Sequence, residues 1–187
     1  MESRERSVGS RIGMWLFLLY AVYRAKHPAD FHAASLELSR FDGTLNTAIL
    51  LTSSLTAVLA IFSIQELGRA RRAALFLGAT IALGAAFLVV KGFEWAAKFE
   101  HGLYPNAPVL LQRPSGEILY FGLYFTMTGL HALHVIIGMG VLAWMLTFVL
   151  RGKVTRDRSA GLENAGLYWH LVDIIWIFLF PLFYLIS

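Results

Sequence analysis

The chain has 187 residues, of which 57% are hydrophobic and only 15% are charged. This composition leaves too little polar surface for a water-soluble domain, so the sequence predicts an integral membrane protein. It contains no cysteine, which excludes disulfides, thiolate metal sites, iron–sulfur clusters and cysteine nucleophiles. The net charge of +4 does not indicate nucleic-acid binding, because the basic residues form short clusters between apolar runs.

Five apolar runs predict five membrane-spanning helices. A helix needs about 20 apolar residues to cross a bilayer, and the first run is short because only 12 residues separate Arg11 from Arg24. The fourth run is longer than one crossing requires, so that helix should tilt or project beyond the lipid. The predicted spans are residues 12–23, 45–64, 73–95, 118–150 and 164–186. We therefore expect an all-α transmembrane bundle that forms a single membrane domain over residues 1–187.

The basic residues predict the orientation of this bundle. With five spans, ten Lys and Arg residues fall on one side and five on the other, and Lys91 lies inside a helix. The side with ten includes the N-terminus and is predicted to be cytoplasmic, so the C-terminus lies on the opposite side. If the first run does not cross, the split becomes 7 to 8 and the bias disappears. Charge therefore favours five spans, whereas the short length of the first run argues against that run as a span.

Ionisable residues inside the spans are the candidate functional residues, because a charge at membrane depth is costly. In the third span, Lys91, Glu94 and Lys98 are spaced by three and four residues and share one helical face. Glu94 can therefore pair with either lysine. The alternative is local charge compensation near the outer interface, where Trp95 would anchor the helix.

The last two spans each carry a polar pair on one helical face, His131 with His134 and His170 with Asp173. Neighbouring spans are antiparallel, so the two pairs could converge near the middle of the membrane. A metal or haem site is one interpretation, although the spans supply few ligands. The alternative is that these side chains hydrogen-bond to one another and hold the helices together. His170 and the Trp176 indole are the nearest candidate partners of Asp173.

Two further patterns bear on function. Ser53 and Ser54 lie in an apolar run without an adjacent base, so serine nucleophile chemistry is not predicted. Glycines such as Gly84 in the third span and Gly129 in the fourth predict close helix approach or gaps that could hold phospholipid.

Three segments of the sequence are distinctive. They are KGFEWAAKFEHG from Lys91, TGLHALHVIIG from Thr128, and Glu163 followed by YWHLVDIIW from Tyr168. Together they resemble subunit III of haem-copper cytochrome c oxidases, in its short bacterial form. Weaker similarity in GMWLFL from Gly13 and LNTAILLTSSLT from Leu45 extends the resemblance over nearly the whole chain.

The resemblance implies an accessory, non-redox subunit of an oxidase that reduces oxygen and pumps protons in aerobic respiration. It implies a multi-pass protein of the bacterial cytoplasmic membrane that contacts oxidase subunit I and other oxidase subunits. Haem and copper would belong to those partners, and cytochrome c or another electron donor would act on the whole complex. It also implies bound phospholipid in an interhelical cleft, no metal, and no catalytic centre in this chain.

Within this family resemblance, the intramembrane residues form a polar network with structural or lipid-related roles. Its predicted members are Glu94, His131, His134, His170 and Asp173. Its predicted supporting residues are Lys91, Lys98, Glu163, Trp169 and Trp176.

One departure from the family and two other functions are also considered. Family members have a longer segment after the stretch that ends here at Leu18, so the resemblance assigns no role to the first helix. One alternative function is a subunit III homologue associated with nitric oxide reductase. The other is an independent proton or small-molecule transporter built around Glu94, His134 and Asp173, which the lack of helix breaks near mid-membrane disfavours.

Overall fold

The computed structural model of the chain describes residues 15–185, and all regular secondary structure in that range is helical. The chain begins with α1 over residues 15–26 and α2 over Pro28–Leu36. The longer helices and their connections are α3 Arg40–Gln65, α4 Ala70–Glu100, α5 Pro108–Leu111, α6 Ser115–Leu150, a 3-10 turn Arg156–Arg158, α7 Ala160–Phe180 and a π-helical turn Pro181–Leu185.

Four of these helices are long and apolar enough to cross a membrane: Arg40–Gln65, Ala70–Glu100, Ser115–Leu150 and Ala160–Leu185. The prediction of an all-α membrane protein is therefore confirmed. The predicted first span is only partly described, because residues 12–14 lie outside the described range, as does residue 186 of the last span. The 12 described helical residues of α1 extend about 18 Å at 1.5 Å per residue, whereas the hydrocarbon core is about 30 Å thick. A fifth crossing and the orientation of the termini stay predictions.

Local sequence explains where α3 and α6 begin and end. The Ser39 hydroxyl accepts a hydrogen bond from the Asp42 backbone N–H at 3.3 Å, which caps the start of α3. Pro114 precedes the first residue of α6. α3 and α6 are followed by Gly68 and Gly152, whose φ values of 59° and 67° favour glycine.

The four long helices form a closed bundle in which each helix packs against two others. α3 packs against α4, α4 against α6, α6 against α7, and α7 returns to α3. The short α2 lies against α6 and the π-helical turn at one end of the bundle, where Phe31 is fully buried. The beginning of α6 is held against α2 by one hydrogen bond. The Asp30 carboxylate of α2 accepts it from the Gly116 N–H at 3.2 Å.

Trp169 of α7 fills the centre of the bundle. Its indole N–H donates to the Ser53 hydroxyl at 3.0 Å, and its ring lies over glycines on two other helices. A Cβ at Gly84 would lie 2.8 Å from this ring, and one at Gly138 would lie 2.9 Å from it. The glycines therefore allow close packing, as the sequence predicts.

The predicted use of glycine gaps by phospholipid stays a prediction, and a tryptophan lies beside each of the two glycines named for it, Gly84 and Gly129. The chain's own Trp169 occupies the space beside Gly84. At Gly129, a Cβ would lie 3.4 Å from the Trp95 ring, so a side chain of this chain lies there too. The fully buried Trp169 and the partly buried Trp95 therefore contact these glycines.

Two glycines of α6 provide a matched test of this packing. Gly138→Ala should lower the free energy of unfolding by about 1–3 kcal/mol, because the added methyl overlaps the Trp169 ring. Gly140→Ala should leave it unchanged or raise it by up to about 1 kcal/mol, because nothing lies within 4 Å of that Cβ. Unfolding by SDS titration in mixed micelles measures both values, and equal effects at the two positions would contradict the packing described.

Candidate functional site

The ionisable pair of α4 meets two tyrosines from distant parts of the chain. The Lys91 Nζ donates to Glu94 Oε2 at 3.2 Å, to the Tyr124 hydroxyl at 3.0 Å and to the Tyr184 hydroxyl at 2.7 Å. Both tyrosine hydroxyls donate to Glu94 Oε1 at 2.6 Å. The side chains of Lys91 and Glu94 are each 3% exposed. We call these four residues the Lys91 cluster.

Hydrogen bonding inside the Lys91 cluster is complete for the lysine. An ammonium group has three N–H donors, and three acceptors surround this one. The charge also lies 4.7 Å from the Tyr124 ring centroid and 5.2 Å from that of Trp176, within cation–π distance. Because the positive and negative groups compensate each other and are hydrogen-bonded, they can remain inside an apolar bundle.

The π-helical turn brings Tyr184 to this cluster. Pro181 has no backbone N–H, so it cannot continue the regular α-helical hydrogen bonds, and the helix widens at this residue. The Tyr20 hydroxyl donates to the Leu182 carbonyl at 2.5 Å, and the Tyr120 hydroxyl donates to the Phe183 carbonyl at 2.7 Å. These bonds satisfy backbone oxygens that would otherwise be unpaired at membrane depth. The turn is therefore held in place by α1 and α6.

Lys98 does not pair with Glu94. Its Nζ donates instead to the backbone carbonyl of Glu37, in the turn between α2 and α3. The neighbouring Arg113 donates to Glu117 Oε2 at 3.0 Å and to Glu37 Oε1 at 3.4 Å. The hydrogen bond to Glu117 raises the pKa of the Arg113 guanidinium. The two lysines that were equivalent by spacing thus have different roles, and only Lys91 compensates Glu94.

His131 and His134 face different surroundings. His131 is 2% exposed and packs between the rings of Phe87, at 5.5 Å, and Trp176, at 5.2 Å. Neither of its nitrogens has a hydrogen-bond partner among residues 15–185. His134 is only partly buried, and its Nδ1 bonds to the Leu130 carbonyl of its own helix at 2.7 Å. The Trp176 ring contacts both His131, at 5.2 Å between ring centroids, and the Lys91 Nζ, at 5.2 Å from its centroid.

His170 lies in a separate polar contact on α7. Its Nδ1 is 2.6 Å from the Ser54 hydroxyl, so the expectation that this serine has no adjacent base is wrong. Asp173 is 3% exposed, and its carboxylate has no hydrogen-bond partner in the described part of the chain. The partners expected for it are engaged elsewhere, since the Trp176 indole donates to Thr47 Oγ1 at 3.1 Å.

The hydrogen bonds among residues 15–185 therefore do not join the five predicted residues into one network. Glu163, a predicted supporting residue, accepts hydrogen bonds from Gln65 at 2.5 Å and Ser159 at 2.6 Å at the other end of the bundle.

Sequence reasoning missed Tyr124 and Tyr184. The signal available for both was a phenol inside a predicted span, where the hydroxyl needs a partner. Over the same described range, no three His, Cys, Asp or Glu residues are grouped to hold a metal.

Comparison with known families identifies the chain. Residues 41–187 match the family described as cytochrome c oxidase subunit III. The chain belongs to this family. The resemblance found in the three sequence segments is therefore confirmed.

Curated relatives of this subunit III chain agree with the match. Cytochrome c oxidase subunit 3 of Gadus morhua is 38% identical over 136 residues, which cover 73% of this chain and 47% of the relative. The protein of the same name from Cyprinus carpio is 36% identical over 140 residues, covering 75% of this chain and 48% of the relative. The chain thus spans about half the length of the curated relatives it matches.

Removing the lysine of the Lys91 cluster should destabilise this subunit III chain strongly. Lys91→Met leaves Glu94 buried without its counter-charge, so the free energy of unfolding should fall by about 3–5 kcal/mol. The double variant Lys91→Met with Glu94→Gln removes both charges and should recover part of that loss. SDS titration of the single and double variants measures both effects.

Lys26→Met is the matched control, because Lys26 is exposed at the end of α1. Its free energy of unfolding should stay close to that of the unmodified chain. A Lys91→Met variant as stable as the control would contradict the role assigned to the ion pair.

Proposed function

We propose that this chain is an accessory, non-redox subunit III of a cytochrome c oxidase, which stabilises catalytic subunit I and binds phospholipid between its helices. The observation that carries the proposal is the family match over residues 41–187. Haem and copper belong to the partner subunits of this complex. The complex takes electrons from cytochrome c or another donor, reduces oxygen and pumps protons.

The geometry of the Lys91 cluster supports a structural role for Glu94. Its carboxylate accepts hydrogen bonds from Lys91 of the same helix, Tyr124 of α6 and Tyr184 of the C-terminal turn. These contacts join three parts of the bundle at one depth. A rigid bundle is what an accessory subunit needs in order to offer a partner a constant surface.

The outside of the bundle supports contact with lipid and with the transmembrane helices of a partner. Large apolar side chains are exposed on each of the four long helices. Examples are Leu55 on α3, Leu75 and Phe93 on α4, Trp144 on α6, and Leu167 on α7. Such faces need an apolar environment, which a bilayer and subunit I together supply.

The basic residues of the sequence support five spans with the N-terminus in the cytoplasm, because only five spans add Arg4, Arg6 and Arg11 to the basic end of the bundle. The turn that leads into α4 and the segment between α6 and α7 lie at the same end of the bundle and are rich in Arg and Lys. These residues are Arg69, Arg71, Arg72, Arg151, Lys153, Arg156 and Arg158. Basic residues concentrate on the cytoplasmic side of membrane proteins.

Purification of the tagged chain from its own membranes in mild detergent tests the oxidase assignment. A haem- and copper-containing partner should copurify, and optical difference spectra with metal analysis detect both metals. An untagged strain is the control for unspecific capture. A stable, colourless chain without partners would overturn the proposal, and a partner with haem and non-haem iron but no copper would assign the chain to nitric oxide reductase.

Glu94→Gln tests the separation of this chain from the redox chemistry. In the assembled complex, the initial rate of oxygen consumption per haem should match that of the unmodified complex, because the reaction takes place in another subunit. An oxygen electrode measures this rate. Immediate loss of turnover in a complex that retains all its haem would contradict a non-redox role.

A further inference from the structure

A small cavity of about 130 Å³ lies between the beginning of α1, the middle of α6 and the second half of α7. We call it the His131 cavity. Among the described residues its wall is mostly apolar, and two imidazoles supply its polar groups. The lining residues that matter here are Leu16 and Phe17 of α1, Met127, His131 and His134 of α6, and Leu179 of α7.

The packing around His131 supplies aromatic rings but no hydrogen-bond partner within residues 15–185. The side chain is 2% exposed, and its neighbours Phe87 and Trp176 present ring surfaces to it. The Trp176 indole N–H already donates to Thr47, and the N–H groups of Lys91 are all used inside the Lys91 cluster. A buried polar group without a partner is destabilising. A ligand of the cavity that bonds to His131 therefore gains affinity.

His134 adds a second nitrogen whose hydrogen-bonding role is fixed by the backbone. Its Nδ1 bonds to the Leu130 carbonyl at 2.7 Å, and a carbonyl oxygen only accepts, so Nδ1 carries the proton. In the neutral ring, Nε2 therefore holds a lone pair and accepts from an O–H group. Neutral His131 offers one N–H and one lone pair. The two rings together favour a ligand oxygen that both donates and accepts, which is the property of a hydroxyl group.

The volume and the wall of the His131 cavity fit an aromatic ring. An apolar protein cavity of about 150 Å³ binds benzene, and the His131 cavity is nearly as large. Phe17 and Met127 line it, and both a phenyl ring and a thioether sulfur make favourable contacts with a bound ring. Its described lining includes no Asp, Glu, Lys or Arg, so a charged ligand would lose hydration without compensation. The ligand that fits is neutral, aromatic and hydroxylated.

We propose that the His131 cavity binds a neutral aromatic ring that carries a hydroxyl group, which is the chemistry of a phenol and of a quinol headgroup. The ring lies between Phe17 and Leu179. Its hydroxyl donates to His134 Nε2 and accepts from the N–H of His131. This site goes beyond the role proposed above, because it gives the chain a small-molecule ligand of its own. It does not depend on the oxidase assignment, since residues of this chain form it.

Titration of the full-length protein in nanodiscs with three probes tests the inference. The probes are phenol, dimethoxy-methyl-hydroquinone as the ring of a quinol, and toluene, which has a methyl group in place of the hydroxyl. The imidazole NMR signal of isotope-labelled His134 reports binding, and each affinity is corrected for partition into nanodiscs without protein. We expect at least one hydroxylated probe to bind about tenfold more tightly than toluene, as for one hydrogen bond. The tighter of the two hydroxylated probes identifies the source as a phenol or a quinol.

Two kinds of variant separate the hydrogen bond from the cavity itself. His131→Leu should lower the affinity for the hydroxylated probe about tenfold and leave that for toluene unchanged, because only the polar contact is lost. Leu16→Trp places an indole in the cavity and should abolish binding of all three probes. Leu18→Trp is the matched control, because Leu18 is 52% exposed on the same helix and does not line the cavity. It should bind the probes as the unmodified protein does.

Three results would overturn the inference. Hydroxylated probes that bind no more tightly than toluene would do so, as expected of a cavity that holds only water. A preference for the hydroxyl that a folded His131→Leu variant retains would place the contact elsewhere, and binding that survives Leu16→Trp would exclude the cavity. Helical circular dichroism reports whether His131→Leu is folded. If it is not, the comparison of Leu16→Trp with Leu18→Trp and the preference of the unmodified protein decide the outcome.

Discussion

The buried Lys91–Glu94 ion pair is the constraint around which the rest of the bundle is arranged. Neither charge can be hydrated inside the packed helices, so the protein itself must supply every hydrogen bond that water would make. Tyr124 and Tyr184 supply these bonds from α6 and from the C-terminal turn. The position of Tyr184 in turn depends on the π-helical turn and on Tyr20 and Tyr120, which donate to its carbonyls.

The same pair shows how an ionisable group in a membrane can be structural. Glu94 accepts hydrogen bonds from Lys91 of its own helix, from Tyr124 of α6 and from Tyr184 of the C-terminal turn. Such an arrangement favours one packing of the helices over others that apolar side chains alone would permit. The polar contacts of His170 with Ser54, and of the two α7 indoles with α3, add to this specificity.

The long helices could be predicted because the number of apolar residues needed to cross a bilayer is set by its thickness. The pairing of Glu94 with a lysine could also be predicted, but spacings of three and four residues both place a lysine on its face. The fold decides which lysine pairs with Glu94, because Lys98 donates its hydrogen bond to the backbone carbonyl of Glu37 instead. Ser54 and His170 are 116 residues apart in sequence, and no local pattern brings them together. The spacing of His131 and His134 sets a common helical face without setting what each ring meets.

Trp169 has a consequence for how the protein is made. A chain is synthesised from its N-terminus, so α3, α4 and α6 are complete before α7. Until α7 joins them, Gly84 and Gly138 border an unfilled groove, and Glu94 lacks the hydroxyl of Tyr184. The first three long helices therefore form an incomplete intermediate that contains an under-compensated charge. Insertion of the last helix fills this groove with Trp169 and completes the hydrogen bonding of Glu94.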